Sequence, residues 1–426
     1  MRPRVCFYSW RRMVCLNLVV AGCLLGTLSF AAPAASAAED RLVLLTAHWE
    51  GIRTEFTRAF KDWHRERTGR DVMMDWRDVG GASDAMRYIL SEFRTSKESI
   101  GIDLFFGGGL DPYLELDQKG LLQACPLPDE VWKGIPSDLA GLPLYHSKGH
   151  WFGAAISSFG ILCNDRVIRQ MGLPPVKTWR DLADPRLKGW VGSGDPRNSG
   201  ANHMIYECIL QSYGWDEGWR VIQGMGANIG QYDRAGSTAA KSCTLGNVAC
   251  SVVIDFYGLM QVAEGGSENM SLVIPSAESV FNPDCIAMLK GAPHGKTAEL
   301  FMEFVMSDAG QSLWLAPVGH PSGAKKFAIP RMAMRPKLYE TFVDVTPVKV
   351  NPFKDLKPMS YRASLGSQRW SPLNALLGAV VIDRPPAERA GVKIPVTEDE
   401  LSAIAKKDWK DPVRRTRLVL AWQQGR

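Results

Sequence analysis

Strand-like and helix-like patterns of hydrophobic residues alternate along the first part of the chain. The apolar run over residues 41–49 predicts a buried strand, and the helical spacing over 50–67 ends at Gly69. Residues 71–79 and 102–106 are again strand-like, and each is followed by glycines and then by a helical pattern. Strands that alternate with helices predict a mostly parallel α/β sheet.

The middle of the chain carries a second set of such elements. Residues 151–164 form one long apolar stretch. The remaining strand patterns lie at 190–194, 248–254, 272–274 and 284–289, and the helical patterns at 201–213 and 297–306. From about residue 331 onward prolines are frequent and only short helical patterns occur. The chain is therefore predicted to form two α/β regions followed by a helical C-terminal extension.

The first 37 residues have the pattern of a signal peptide. Arg11 and Arg12 precede an apolar run over 13–30, and small residues before Ala37 form a cleavage motif. A lipoprotein-type motif that ends at Cys23 offers the alternative of lipid anchoring. Either interpretation predicts export.

Composition and charge narrow the classes of function. The chain has 46% hydrophobic and 22% charged residues, which is typical of a globular protein. Its formal charge of +5 comes mostly from four arginines in the first 12 residues, so the rest is nearly neutral and indicates no nucleic-acid partner. Six of the nine cysteines follow the signal peptide without a CxxC motif, which disfavours zinc ribbons and thioredoxin chemistry; disulfide pairing stays open.

Small-residue loops at predicted strand ends are the candidate binding elements. Such loops occur at 46–48, 80–83, 107–109 and 195–200, and all four lead into helical patterns. Free backbone N–H groups and the positive end of the helix dipole favour anions at these positions. In open α/β sheets, ligands bind beyond the carboxyl ends of the strands. Ordinary helix capping is the alternative explanation for each single loop.

No pattern of catalytic residues emerges. The sequence has no HExxH or GxSxG motif and no cysteine–histidine pair at the spacing of a metal site. The segment 291–297 resembles a phosphate loop but is one residue too short between its glycines. We therefore predict a binding protein with no enzymatic activity and no cofactor, and leave open whether it binds a metal.

An ordered set of motifs resembles the type II extracellular solute-binding proteins of ABC importers, in the branch for ferric iron, polyamines and organic phosphates. The motifs lie at 78–84, 102–109, 164–165, 177–189, 195–200, 283–293 and 304–314, and the resemblance covers about 41–330. It implies two α/β lobes joined by a hinge, a ligand bound in the central cleft, and lobes that close on it. Its partner would be an ABC permease in the inner membrane.

The resemblance also implies domain boundaries. Residues 39–152 and 270–335 would form the first lobe, 153–269 the second lobe, and 336–426 the helical extension. The chain crosses between the lobes near 151–159 and 254–273. A monomer is expected.

Candidate ligand-binding residues combine the loops with the resemblance. Ferric-iron members use two adjacent tyrosines after a strand; here Tyr257 matches the first and Gly258 occupies the second, which argues against direct capture of iron. An anionic organic ligand would instead be held by backbone amides and serine hydroxyls, with Arg197 as a bidentate partner or, alternatively, in a salt bridge between the lobes. The candidate set is His48, Gly81, Ser83, Gly108, Arg197, Ser199, Ser237, Asp255 and Tyr257.

The expected function is capture of a small anionic or metal-containing solute and its delivery to a permease. The alternative is a sensor that presents the bound solute to a chemoreceptor or a histidine kinase, with the C-terminal extension as a docking element.

Overall fold

The computed structural model describes residues 39–355 and 357–425. The predicted signal peptide and the lipoprotein-type motif lie outside the described residues. Within the described part, no helix combines the length and the apolar character that a membrane span needs. All six cysteines that follow residue 39 are buried free thiols.

Thirteen strands and fifteen α-helices are described in these ranges. The strands are β1 (Asp40–Thr46), β2 (Val72–Asp78), β3 (Leu104–Phe106), β4 (Leu122–Gln123), β5 (Asp138–Leu139), β6 (Leu142–Pro143), β7 (Phe152–Ser157), β8 (Phe159–Asn164), β9 (Val191–Gly194), β10 (Ile229–Asp233), β11 (Cys250–Ile254), β12 (Met270–Val273) and β13 (Asn282–Leu289). The helices are α1 (Glu50–Thr68), α2 (Ala82–Thr95), α3 (Leu110–Gln118), α4 (Asp129–Trp132), α5 (Asp165–Gln170), α6 (Gly200–Tyr213), α7 (Trp215–Asn228), α8 (Gly236–Thr244), α9 (Asp255–Gly265), α10 (Gly295–Met306), α11 (Asp308–Leu315), α12 (Pro336–Thr341), α13 (Ala363–Leu377), α14 (Glu398–Lys407) and α15 (Pro412–Gln423).

The first sheet has the order β2-β1-β3-β13-β4, and β7 also pairs with β13. β1 runs parallel to both β2 and β3, whereas β13 is antiparallel to its neighbours. The side chains of β1 are buried on both faces because helices cover both sides of this sheet. On one side Phe56, Phe106 and Trp314 belong to an aromatic-rich core. This sheet and its helices form the first lobe.

The second sheet has the order β10-β9-β11-β8-β12 and forms the second lobe with helices α5 to α9. β9 is parallel to β10 and β11, while β8 is antiparallel to β11 and β12. β7 and β8 are consecutive in the apolar stretch predicted from the sequence, yet they belong to different sheets. The first crossing therefore lies at Ser157–Ser158, and the second lies between Val273 and Asn282.

The first crossing lies within the expected segment 151–159 but beyond the 152/153 boundary, and the second lies just beyond the expected segment 254–273. The cause is physical: β7 and β8 are equally apolar and fully buried, so local pattern cannot tell which sheet each one joins. β12, which the expected boundaries placed in the first lobe, pairs with β8 of the second.

The C-terminal extension is helical and packs against both lobes. Its longest helix, α13, contacts α3 of the first lobe and α6 of the second. The Tyr361 hydroxyl donates a hydrogen bond to Asp111 of α3 at 3.0 Å, and Arg369 forms a buried ion pair with Glu207 of α6 at 2.6 Å. One hydrophobic cluster continues through all three parts of the molecule. The extension is thus integrated with the binding lobes.

Candidate ligand-binding site

A cavity of about 590 Å³ lies between the two lobes, and its size is that of a typical small-molecule site. The first lobe contributes the ends of β1, β2 and β3 with the loops after them, and the second lobe contributes the starts of α6, α8 and α9. In a mostly parallel sheet this edge is where strand carboxyl ends meet, which is the arrangement expected from the small-residue loops.

Helix N-termini from both lobes border the cavity. Gly81 precedes α2, Ser199 is the N-cap of α6, and Gly236 begins α8; all three residues line the wall. The Ser199 hydroxyl accepts a hydrogen bond from the Asn202 N–H at 3.3 Å, which leaves other first-turn N–H groups of α6 without an intrahelical acceptor. Three positive helix ends around one cavity favour an anion.

A buried charged cluster forms the floor on the side of the first lobe. Asp284 accepts hydrogen bonds from His48 Nε2 at 2.8 Å and from the Gly108 N–H at 2.5 Å, and it forms an ion pair with Arg331. Arg331 also donates to the Ser157 hydroxyl at 2.5 Å. These contacts fix three wall residues of the cavity that are remote in sequence.

Burial and the contacts within this cluster set the protonation states of Asp284 and His48. Burial by itself would raise the pKa of Asp284, but the Arg331 charge and the hydrogen bonds from His48 and Gly108 outweigh burial and lower this pKa well below its usual range. Burial lowers the pKa of His48, although Asp284 acts in the opposite direction. Asp284 is therefore ionised and balanced by Arg331, and His48 is neutral at neutral pH.

Two polar atoms of this cluster are buried without a hydrogen-bond partner among the described residues, His48 Nδ1 and Arg331 Nε. Both residues line the cavity. Arg234 also lines it, and its guanidinium has no ion-pair partner within the described part of the chain. An anionic ligand could accept hydrogen bonds from the guanidinium groups of Arg331 and Arg234, and a ligand hydroxyl could donate to His48 Nδ1.

Six of the nine candidate residues line the cavity wall: His48, Gly81, Gly108, Ser199, Ser237 and Tyr257. Ser83 is the second residue of α2 and is buried beside the wall, with its hydroxyl unpartnered in the described region. Asp255 is buried behind Phe256 and Tyr257, at the start of α9.

Arg197 does not face the cavity. Its guanidinium binds Asp195 of its own loop at 2.7 Å and Asp383 of the C-terminal extension at 2.9 Å. This arrangement is neither the ligand contact nor the salt bridge between lobes considered from the sequence. Arg197 instead joins the second lobe to the extension.

Sequence reasoning missed Arg234, Asn282, Asp284 and Arg331 as wall residues. Asp284 lies within one of the family-like motifs, and this was the one feature of the sequence that could have marked it as a wall residue. Arg331 lies in a proline-containing segment without a regular pattern, so nothing local marks it.

Asp255 gives the site a testable pH dependence. Burial raises its pKa to about 7 from an ordinary value of 3.8, although Arg331 opposes this. The folded state thus holds this proton more tightly than the unfolded chain, and its stabilising contribution is present below about pH 4 and lost as the pH rises to about 7. We expect Asp255→Asn to flatten the fall in stability over this window.

The measurement is urea unfolding of both proteins at pH 4.5, 6 and 8. Asp344→Asn is the matched control because Asp344 is exposed and has no ion-pair partner in the described part. A wild-type-like pH slope in Asp255→Asn would contradict a raised pKa at this position.

Comparison with known proteins shows which family the chain is similar to. A family model described as bacterial extracellular solute-binding protein matches residues 99–336, which is more than half of the chain. The chain is 25% identical over 229 residues to an uncharacterized protein of Haemophilus influenzae, and 27% identical over 159 residues to the phosphoglycerate transport regulatory protein PgtC of Salmonella typhimurium. These matches cover 52% and 37% of this chain, and 63% and 39% of the relatives, so the chain spans less than two-thirds of each relative.

Two solved structures share the architecture. The periplasmic binding protein AfuA of Actinobacillus pleuropneumoniae, with fructose-6-phosphate bound, aligns with a TM-score of 0.56 and 20% identity over 73% of this chain and 100% of its own. Iron-bound HitA from Pseudomonas aeruginosa aligns with a TM-score of 0.61 and 22% identity over 80% of this chain and 99% of its own. At these identities the likeness shows the fold, which is the expected two-lobed α/β fold of periplasmic binding proteins.

Proposed function

The chain belongs to the bacterial extracellular solute-binding proteins, which are binding proteins and not enzymes, and from this premise we propose that it captures a small phosphorylated organic anion in its cleft and delivers it to the permease of an ABC importer. One observation carries the choice of an anion: helix N-termini from both lobes border the same cavity. An anion that engages both lobes stabilises the closed form over an open one.

The charges around the cavity argue against a polyamine. Its three acidic wall residues are already paired, Asp78 with Arg53, Asp84 with Arg87, and Asp284 with Arg331. A polycation would have to compete with an arginine for each carboxylate. An anion instead meets helix ends and the exposed guanidinium of Arg234.

The tyrosine side of the cavity argues against direct capture of ferric iron. Tyr257 lines the wall, but Gly258 follows it, so only one phenol of the expected pair is present. Burial raises the pKa of Tyr257, which disfavours the phenolate that a hard cation requires. AfuA with its bound fructose-6-phosphate, and PgtC by its name, support a phosphorylated ligand.

Thermal unfolding of the purified protein tests this proposal. Phosphorylated compounds such as 3-phosphoglycerate and fructose-6-phosphate should raise the melting temperature, because a ligand present at 100 times its dissociation constant stabilises the native state by about 2.7 kcal/mol. Their unphosphorylated counterparts, ferric citrate and spermidine serve as controls. Shifts with ferric citrate or spermidine and none with phosphorylated compounds would refute the proposal.

Gly81 allows a test of closure. An added Cβ at Gly81 would lie 2.7 Å from the backbone oxygen of Asn198 in the opposite lobe, so Gly81→Val should hinder close approach of the lobes. We expect at least a tenfold weaker affinity for the ligand identified above. The measurement is isothermal titration calorimetry.

Gly230→Val is the matched control, because nothing lies within 4 Å of a Cβ added at Gly230 and its backbone is not left-handed. An unchanged affinity in Gly81→Val would show that this contact is not part of the ligand-bound form.

The name of PgtC, phosphoglycerate transport regulatory protein, favours one alternative, in which the protein presents the same ligand to a sensor. Crosslinking in membranes of the native host separates the two roles, because a transporter component should be captured with a permease subunit and a sensor component with a receptor ectodomain.

We further propose export as a monomer with cleavage after Ala37, rather than anchoring at Cys23. Mass spectrometry of the mature protein tests the cleavage site.

A further inference from the structure

A cluster of three metal-ligating side chains lies outside the cleft. Asp117 is near the C-terminal end of α3, while His146 and His150 lie in the loop between β6 and β7. His150 Nδ1 is 2.5 Å from Asp117 Oδ1, and His146 Nε2 is 3.6 Å from Asp117 Oδ2. None of the three lines the cavity between the lobes.

We propose that Asp117, His146 and His150 form a binding site for one divalent metal ion of the zinc class on the first lobe. One potential ligand atom from each residue lies within 4.8 Å of the others. Ligand atoms around a tetrahedral zinc ion are separated by about 3.4 Å, so small side-chain movements suffice to converge on an ion.

The donor set determines the class of ion. Two imidazoles and one carboxylate suit zinc and its transition-metal neighbours, whereas calcium and magnesium require mainly oxygen ligands. With three protein ligands, a fourth position would be left for water or another group. Each side chain is about one-quarter exposed, so an ion can reach the site from solvent.

The backbone around the cluster is fixed. The His146 N–H donates to the Trp151 carbonyl at 2.9 Å, and the Gly149 N–H donates to the His146 carbonyl at 2.8 Å. Gly149 has a φ of 75°, and a Cβ there would lie 2.8 Å from the Cys125 carbonyl oxygen. Glycine therefore lets the loop lie close against the neighbouring segment, which holds both histidines beside α3.

The side chains must adjust to bind an ion. The two imidazole rings are stacked with centroids 4.5 Å apart, so one ring must turn to bring its nitrogen lone pair onto a shared ion. His146 Nδ1 accepts a hydrogen bond from the Lys148 N–H at 3.2 Å, and coordination through Nε2 would break this bond. The partial exposure of both rings leaves room for these rotations.

The experiment uses the purified full chain, freed of metal with a chelator, and titrated with zinc chloride by calorimetry. We expect one zinc ion per chain and a higher melting temperature with zinc, but no response to calcium chloride. His150→Gln and Asp117→Asn should each weaken zinc binding at least tenfold. His320→Gln, on the same lobe but outside the cluster, should bind zinc like the wild type.

Cobalt(II) gives a second readout that does not depend on stability. Its visible absorption should appear on binding and should be lost in the double variant His146→Gln/His150→Gln. Zinc binding that persists in that folded double variant, or that is lost in Tyr257→Phe instead, would overturn the proposal. Because the cluster is separate from the cleft, its failure would leave the proposed solute binding untouched.

Discussion

Replacing Arg331 by methionine should destabilise the protein by about 3–5 kcal/mol, the usual cost of leaving one partner of a buried ion pair alone. Arg331 and Asp284 are both more than 90% buried, and each has a further hydrogen-bond partner in the first lobe. The methionine removes the positive charge that keeps Asp284 ionised. Because both residues line the cavity, ligand binding should fall as well.

Urea unfolding and ligand titration measure the two effects. The double variant Arg331→Met/Asp284→Asn should recover part of the lost stability, since the unpaired charge is then gone while an acceptor for the Gly108 N–H is kept. Arg67→Met is the matched control, because Arg67 also forms an ion pair, with Glu303, but its side chain is half-exposed. An ion pair in contact with solvent contributes little to stability. A loss below about 1 kcal/mol in Arg331→Met would contradict the role of the pair.

Replacing Arg369 by methionine should have an effect of similar size, again about 3–5 kcal/mol. Arg369 and Glu207 are fully buried where the C-terminal extension meets α6, and Arg369 also binds Glu398 at 2.6 Å. The variant leaves the Glu207 carboxylate without a charged partner in an apolar interface. Since Ser199, the N-cap of α6, lies in the cavity wall, loosening this interface should also weaken ligand binding.

The control is Arg362→Met, because Arg362 is exposed and forms an ion pair with the same Glu398, with 3.5 Å between its guanidinium nitrogen and the carboxylate oxygen. Its expected cost is at most about 1 kcal/mol. The double variant Arg369→Met/Glu207→Leu should recover most of the stability, since apolar residues of similar size often replace a buried ion pair without loss. If Arg369→Met unfolds at the same urea concentration as the control, the extension is not held by this pair.

The C-terminal extension contacts both lobes and therefore bears on how the cleft can open and close. α13 contacts both lobes. The Tyr361–Asp111 hydrogen bond joins the extension to the first lobe, and the Arg369–Glu207 ion pair joins it to the second. Any opening of the cleft has to preserve or break these buried contacts. The sequence predicted a helical extension and suggested docking to a partner; within the described residues, its buried face is used by the protein itself.

The small-residue loops that line the cavity were predictable from the sequence because they are local. A short glycine- or serine-rich segment after a strand leads into a helix wherever it occurs, and backbone chemistry then favours anions at that helix start. Gly81 and Ser199 belong to such segments and line the cavity. His146 and His150 were not among the sequence-based candidates, because Asp117 joins them only through the packing of α3 against their loop.

The α/β class, most of the strands, the family resemblance and the small-residue loops could be predicted from the sequence, because each depends on short-range patterns of burial and backbone freedom. The assignment of β7, β8 and β12 to their sheets, the contact of Arg331 with Asp284, and the position of Arg197 away from the cleft emerge from the folded structure alone. These outcomes depend on contacts between residues far apart in the chain. Such contacts depend on the whole packed arrangement, so a local pattern carries no record of them.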